Sequence, residues 1–294
     1  MAGSIDRVFV AGAGLMGHGI AQVHAAAGLE VVLYEPELAR AEAGRERIAG
    51  NLARAVAKGR LDDADRDATL GRISLADDQG AVRNTELVIE AVFEDLEVKS
   101  KLWRELDRLA PPTTLFASNT SSISIGRLAA AVEPGRRERF VGMHFFSPVP
   151  VMPLIELIRG PDTTEATESA IRELAGRLGK QVIVSADRPG FIVNRILMPF
   201  LAEAMRAYEA GLGTADDIDT GARIGLNHPM GPLELADFIG LDVCLGVMRV
   251  LDEGLEGEQF EPPRVLVELV EAGHLGQKTG SGFHTYPRPE RPGR

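Results

Sequence analysis

Val8-Phe9-Val10-Ala11-Gly12-Ala13-Gly14-Leu15-Met16-Gly17 is the stretch on which the fold of this chain turns. Three apolar residues in a row, Val8 to Val10, predict a strand covered on both faces, as in a parallel sheet. Gly12 and Gly14 stop it, and Leu15 to Ala27 reads as a helix ended by Gly28. Strand, glycine turn and helix in that order fit G-x-G-x-x-G. Gly12 permits the tight turn, Gly14 lets backbone approach a pyrophosphate, and Gly17 lets the helix lie close on the strand. Leu15 and Met16 open the helix, whose unpaired N–H groups and positive dipole end suit phosphate. Glu35 stands 23 residues after Gly12, past the next apolar run at Val31–Leu33. There a carboxylate accepts from the adenosine ribose hydroxyls and repels a 2′-phosphate, so NAD is favoured over NADP. Arg40, close by in sequence, is the residue that would receive such a phosphate.

The alternation continues outward. A helix is predicted over Glu37–Lys58, strands over Leu87–Ala91, Leu115–Ala117, Phe140–Phe145, Leu154–Ile158 and Val182–Val184, and helices over Leu96–Leu109, Ile125–Ala131 and Glu165–Leu178. Short apolar runs alternating with helices predict a doubly wound α/β domain with a mostly parallel sheet. The character changes after Asp187-Arg188-Pro189-Gly190. Phe191–Ala210, Ala215–Ile224, Pro232–Glu253 and Pro263–Ala272 have helical periodicity and no strand-like run lies among them. The expected domains are therefore residues 1–187, binding the nucleotide, and an all-helical domain at 188–294. Pro287 to Arg294, rich in Pro and Arg, predicts a frayed tail.

The 294 residues carry 32 Lys plus Arg against 43 Asp plus Glu, a formal charge of −11, which argues against nucleic acid or an anionic membrane as partner. An anionic ligand would need positive groups gathered locally. One cysteine, Cys244, excludes an intrachain disulfide, and no apolar stretch reaches the length of a membrane span. A basic, apolar leader is also missing, so a cytoplasmic setting is expected. His18 and His24 could be packing or surface residues, His228, His274 and His284 lack metal-ligand spacing, and no metal site is expected.

His144 and Glu156 sit twelve residues apart, each inside an apolar strand, with a Pro-rich connection that could fold the strands back beside each other. A buried Glu needs a partner, and His144 is the candidate. A His held by a carboxylate can take a proton from a hydroxyl near neutral pH, although such a pair can also be purely structural. Ser118-Asn119-Thr120-Ser121-Ser122 follows a strand, where the carboxyl ends of a doubly wound sheet line a ligand crevice. These residues could bind ligand or cap the next helix. Asn194 is polar in an otherwise apolar helix start, which suits a cleft position at a domain junction.

On these motifs the chain resembles the L-3-hydroxyacyl-CoA dehydrogenase family. The carriers are GAGLMG, EAVFEDLEVKSKLW, SNTSS, HFFSPVPVMPLIEL, RPGFIVNRI, GLNHPMGPLELADFIGLD and QKTGSGFHTY, spread in order over residues 12–286. The resemblance implies hydride transfer from C3 of an (S)-3-hydroxyacyl-CoA, of short chain such as 3-hydroxybutyryl-CoA, to NAD. It also implies a homodimer joined through the helical domain. It makes His144 the general base, Glu156 its orienting carboxylate, and Ser121 and Asn194 the groups on the substrate. Glu35 goes to the adenosine ribose, Glu94, Lys99 and Asn119 to the nicotinamide half of the cofactor, and Lys278 to the cofactor near the C-terminus. Lys58 and Arg60 are expected on the CoA phosphates, and Lys99 and Lys278 are expected to add to a local positive site. Glu133-Pro134-Gly135 looks like a surface-loop insertion. The rival readings are a relative acting on a free hydroxy acid or on carnitine, and a non-catalytic NAD-binding protein.

Overall fold

The computed structural model describes residues 4–287, in two compact units that part between Arg188 and Pro189. Of the expected C-terminal tail, residues 288–294 lie outside the described residues.

The first unit runs β1 (Arg7–Ala11), α1 (Leu15–Ala26), β2 (Glu30–Tyr34), α2 (Leu38–Ala57), α3 (Asp63–Gly71), β3 (Ile73–Ala76), β4 (Leu87–Glu90), α4 (Leu96–Leu109), β5 (Leu115–Ser118), α5 (Ile125–Ala129), α6 (Pro134–Arg137), β6 (Phe140–Phe145), β7 (Leu154–Arg159), α7 (Glu165–Arg177) and β8 (Gln181–Ala186). The eight strands form one sheet in the order β3-β2-β1-β4-β5-β6-β7-β8, with every pairing parallel except β6 with β7. Val8, Phe9 and Val10 have no exposure, as a strand covered on both faces requires. On one face, Trp103 of α4 stands 4.8 Å from both Phe116 of β5 and Phe140 of β6.

The chain winds from β1 to β3 on one side and then returns to place β4 beside β1, so the carboxyl ends of β1 and β4 part at a switch point. The glycine turn lies there. Gly12 has φ +102°, and a Cβ on it would come 2.6 Å from the Ala91 carbonyl oxygen after β4. A Cβ on Gly17 would come 1.7 Å from the Gly12 carbonyl oxygen. Both are therefore fixed by close approach of backbone.

Two features differ from the sequence reading. Helix α3 and strand β3 lie in a segment read as neither, because β3 is a four-residue edge strand with only its first residue buried. Glu133, Pro134 and Gly135 are exposed, but they start a helical turn rather than a loose loop. Its Arg136 is buried, pairs with Asp107 at 2.9 Å, donates to the carbonyls of Ala110, Pro111 and Thr114, and lies 4.6 Å over the Phe116 ring. Of the two readings open for His24, packing or surface, the structure shows packing, with the ring fully enclosed on α1.

The second unit holds α8 (Val193–Glu209), α9 (Ala215–Thr220), α10 (Pro232–Ile239), α11 (Leu241–Gly254) and α12 (Arg264–Glu271) around a core that includes Met198, Leu201, Met205, Leu233, Cys244 and Leu251. The helix predicted over Pro232–Glu253 is broken at Gly240, whose φ of +104° no helix accommodates. The one over Ala215–Ile224 widens after Thr220 into a π-type turn, Gly221–Gly225. Buried Asp237 accepts from the Phe283 and His284 N–H groups and the Tyr286 hydroxyl, which fastens the C-terminal segment to α10. Among the described residues no helix is long and apolar enough to cross a membrane.

His24 gives the fold a measurable acid sensitivity. Its Nδ1–H donates to the Ile20 carbonyl at 2.7 Å, while Nε2 has no partner among the described residues. Burial, reinforced by nearby Lys180 and Arg177, outweighs that backbone bond and holds the ring's pKa down at about 4. The folded chain keeps the ring neutral while the unfolded chain protonates it, so stability falls as pH drops from about 6.5 towards 4. Urea unfolding at pH 7.0 and 4.5 should show the acid-induced loss shrinking by about 2–3 kcal/mol in His24→Leu relative to the parent chain. An equal loss in both chains would contradict the assignment.

Candidate active site

Strands β6 and β7 run antiparallel, and their register puts His144 directly opposite Glu156. Opposite residues in a ladder share a face, so the pairing brings the two side chains together. His144 Nδ1 lies 3.0 Å from Glu156 Oε2, with Glu156 at 0% and His144 at 7% exposure. Because a carboxylate only accepts, Nδ1 carries the hydrogen and Nε2 becomes the basic position of the ring. The Phe146 ring lies 4.5 Å from the imidazole. The connection between the strands is closed by Lys180, whose Nζ donates to the carbonyls of Val149 at 2.8 Å and Met152 at 2.7 Å. Lys180 was not singled out from sequence. Its signal, a lysine just before an apolar strand, is common.

The carboxyl ends of β4, β5 and β6 bring further polar groups together. The Asn119 N–H donates to the Glu90 carbonyl at 2.8 Å, and Asn119 Oδ1 accepts from the Phe145 N–H at 2.9 Å. Asn119 thereby ties the end of β5 to the residue next to His144. One oxygen of Glu94 accepts from the Thr120 hydroxyl at 2.5 Å, the Ser121 N–H at 2.9 Å and the Ser122 N–H at 3.1 Å. Burial works to raise the Glu94 carboxyl, but the Lys99 ammonium and these hydrogen bonds outweigh it and hold it below its usual value.

Lys99 lies inside the unit. Its side chain is 1% exposed and its Nζ meets Glu90 Oε1 at 2.5 Å, Glu94 Oε2 at 3.2 Å and the Val92 carbonyl at 3.3 Å. An ammonium has three donors, and three acceptors use them all. Its charge is answered inside the unit by Glu90 and Glu94. Glu90, missed in the sequence reading, is the other half of this pair and also accepts from the Ser118 hydroxyl at 2.7 Å. Burial pushes the Glu90 carboxyl up against the pull of Lys99 and Ser118. Its signal was an acid closing the apolar run Leu87-Val88-Ile89, nine residues before a lysine on a helix.

In the glycine turn, Gly14 and Leu15 are exposed, Met16 is half-buried and Gly17 is buried. The half-buried Glu35 accepts from the Ala13 N–H at 2.7 Å, so it braces the turn it was expected to complement. Lys58 and Arg60 are exposed at and beyond the end of α2. In the helical unit, half-buried Asn194 lies in the first turn of α8. Lys278 forms an ion pair with Asp242, which answers the charge it was expected to add to a positive site. Among the described residues no cluster of His, Cys, Asp and Glu is placed to hold a metal ion.

Known proteins resemble this chain along nearly its whole length. Residues 7–188 match the family model for the NAD binding domain of 3-hydroxyacyl-CoA dehydrogenase, and residues 190–286 match that for its C-terminal domain. The chain is 50% identical over 286 residues to a 3-hydroxybutyryl-CoA dehydrogenase of Bradyrhizobium diazoefficiens, covering 97% of each. The crystal structure of Mycobacterium tuberculosis FadB2 superposes with a TM-score of 0.94 at 46% identity, covering 97% of this chain and 100% of that one. For the (S)-3-hydroxybutyryl-CoA dehydrogenase PaaH1 of Ralstonia eutropha the TM-score is 0.93 at 43% identity, with the same coverage. With both units matched and relatives this similar along nearly the whole length, the chain belongs to the 3-hydroxyacyl-CoA dehydrogenase family.

Proposed function

We propose that the protein oxidises (S)-3-hydroxyacyl-CoA thioesters to 3-oxoacyl-CoA with NAD, and runs the reverse reduction, on short chains such as 3-hydroxybutyryl-CoA. The observation that carries this reading is the buried His144–Glu156 pair, joined across the register of β6 and β7. Relatives at 46–50% identity named for that activity support the substrate class.

The first unit suits a dinucleotide. Helix α1 has no side-chain cap and no acid in its first turn, and nothing lies within 4 Å of where a Cβ on exposed Gly14 would be. Gly12, Gly14, Leu15, Met16 and Gly17 would hold the pyrophosphate and Glu35 the adenosine ribose. Glu35 disfavours a 2′-phosphate, and Arg40 is already paired with Glu37 at 3.3 Å, which together favour NAD over NADP. Asn119 and Glu94 would border the nicotinamide half. The bound nicotinamide supplies the hydride acceptor.

The chain's own residues handle the proton. His144 Nε2 takes it from the C3 hydroxyl as the C3–H bond breaks and the C–O bond becomes a carbonyl. Glu156, accepting from Nδ1–H, keeps the ring in the tautomer that can do this and stabilises the imidazolium that forms. In the reverse direction His144 returns the proton. Ser121 would hold the substrate oxygen near Nε2. The family resemblance adds Asn194 to the substrate's partners and Lys278 to the cofactor's, and Lys58 and Arg60 are the cations offered to the CoA phosphates. Leu212, Ile224, Leu226 and Phe238 of the helical unit are exposed apolar side chains that a second copy would cover, in line with a homodimer. Burial pushes the Cys244 thiol up to about 12, which makes it inert; with a single cysteine and no disulfide framework, a reducing cytosolic setting is the one proposed.

Addition of acetoacetyl-CoA to the protein with NADH should oxidise the NADH, while free acetoacetate should not. NADH binding without turnover on any 3-oxoacyl-CoA would overturn the reading. His144→Gln should lower kcat by about 10²–10⁴-fold and retain NADH affinity. Glu156→Gln should lower kcat less than that, since an imidazole remains. Parental kcat in either variant would remove the pair from the mechanism.

A further inference from the structure

The segment from α5 to α6 and the last two turns of α4 frame a pocket of about 310 Å³. Helix α4 leads into β5 and helix α6 into β6, so the pocket lies at the amino ends of those strands. Asn119 and His144 are at their carboxyl ends, at the other end of the sheet. Three guanidinium groups line the pocket, Arg104 and Arg108 from α4 and Arg137 from α6. None of these three side chains has an ion-pair or hydrogen-bond partner among the described residues, in contrast to neighbouring Arg136, which is fully engaged. Asp107 lines the same pocket, but both of its oxygens are committed, Oδ1 to Arg136 Nε at 2.9 Å and Oδ2 to the Glu133 N–H at 2.7 Å. Exposed Glu133 is the other acid on the wall. Three uncommitted cations thus meet one uncommitted carboxylate, on a chain whose formal charge is −11.

For the protein alone this arrangement is unfavourable. Arg104 and Arg108 stand four residues apart on one face of α4, where like charges repel. The negative end of α4 suits a cation in its last turn, which accounts for Arg108 but not for the other two. Arg137 adds a third charge, and its Nε is buried without a partner among the described residues. A buried N–H that lacks an acceptor costs free energy and calls for one. A water could accept from Nε, but it carries no charge to answer three guanidiniums. A tetrahedral oxyanion does both. Its oxygens accept from planar guanidinium donors in pairs, and its charge offsets their repulsion.

We propose that Arg104, Arg108 and Arg137 form a binding site for a phosphate group, separate from the glycine turn and from Lys58 and Arg60. At about 310 Å³ the pocket is at the small end of ligand sites, with room for the free ion or for the phosphate ester of a small molecule. The site stands apart from the dehydrogenase reading, since none of its residues belongs to the proposed catalytic or cofactor machinery.

The test uses the full-length protein at fixed ionic strength in chloride buffer, with inorganic phosphate as the probe, read by thermal unfolding and by titration calorimetry. Phosphate should raise the parent's Tm above that in chloride alone. Arg104→Gln should bind phosphate at least about tenfold more weakly, the scale of one lost charge-assisted hydrogen bond. Without phosphate, the Tm of Arg104→Gln should equal or exceed the parent's, because a repelling neighbour is gone. Arg137→Lys keeps the charge but lacks the Nε–H donor, and should weaken binding by about three- to tenfold. Glycerol 3-phosphate then separates the two sources. Displacement of bound phosphate assigns the site to esters, no displacement assigns it to the free ion, and either result upholds the site. Phosphate that stabilises the parent no more than chloride does, or that binds the parent and Arg104→Gln alike, overturns the proposal. So does parental affinity in Arg137→Lys, or an Arg104→Gln protein less stable than the parent in chloride.

Discussion

The carboxylate of Glu156 lies in the middle of β7 with no exposure to water, and a group buried in this way needs a donor. The donor is His144, supplied by the one antiparallel pairing in an otherwise parallel sheet. That reversal matters. A parallel β6–β7 pair would need a crossover of a dozen or more residues, and these strands are joined by eight, 146–153, so they fold directly back. A shift of one residue in their register would send one of the two side chains to the other face. Apolar strands on either side hold the register, and the imidazole then takes one tautomer, with Nε2 as its basic position.

The neighbouring strand ends follow the same logic. β4, β5 and β6 end in Glu90, Ser118 and the His144–Phe145 pair; the Ser118 hydroxyl is tied to Glu90, the Phe145 N–H to Asn119 just after β5, and His144 to Glu156 of β7. Asn119 braces the end of β6 and Lys99 braces Glu94. A reaction that moves a proton and a hydride needs its groups held to within fractions of an ångström. Building those groups on strand ends, rather than on loops alone, provides that rigidity.

Much of this was legible in the sequence, for physical reasons. Val8–Val10 and Phe140–Phe145 are continuous apolar runs, which only a strand covered on both faces tolerates, and Gly12 and Gly17 stand where backbone leaves no room for a Cβ. The acid inside Leu154-Ile155-Glu156-Leu157 announced a partner, and the Pro-rich connection allowed His144 to be it. What escaped depends on tertiary context. β3 is an edge strand with little to bury, so its sequence carries no apolar signal. Gly240 breaks a helix whose periodicity runs straight through it, because the break appears as a backbone angle and not as a change of pattern. Lys99 reads as a cation of a local positive site for the cofactor. Only the placement of Glu90 across the β4 end shows that its charge is consumed in the core.

The account depends on one proton staying on one nitrogen. Histidine side-chain ¹⁵N resonances, recorded at neutral pH and assigned through His144→Gln, report it directly. The tautomer predicted for His144 has Nδ1 protonated and Nε2 bare, with that preference lost in Glu156→Gln. A His144 ring carrying its proton on Nε2, or one indifferent to the loss of the Glu156 charge, would contradict the claim that this pair is the centre of the site.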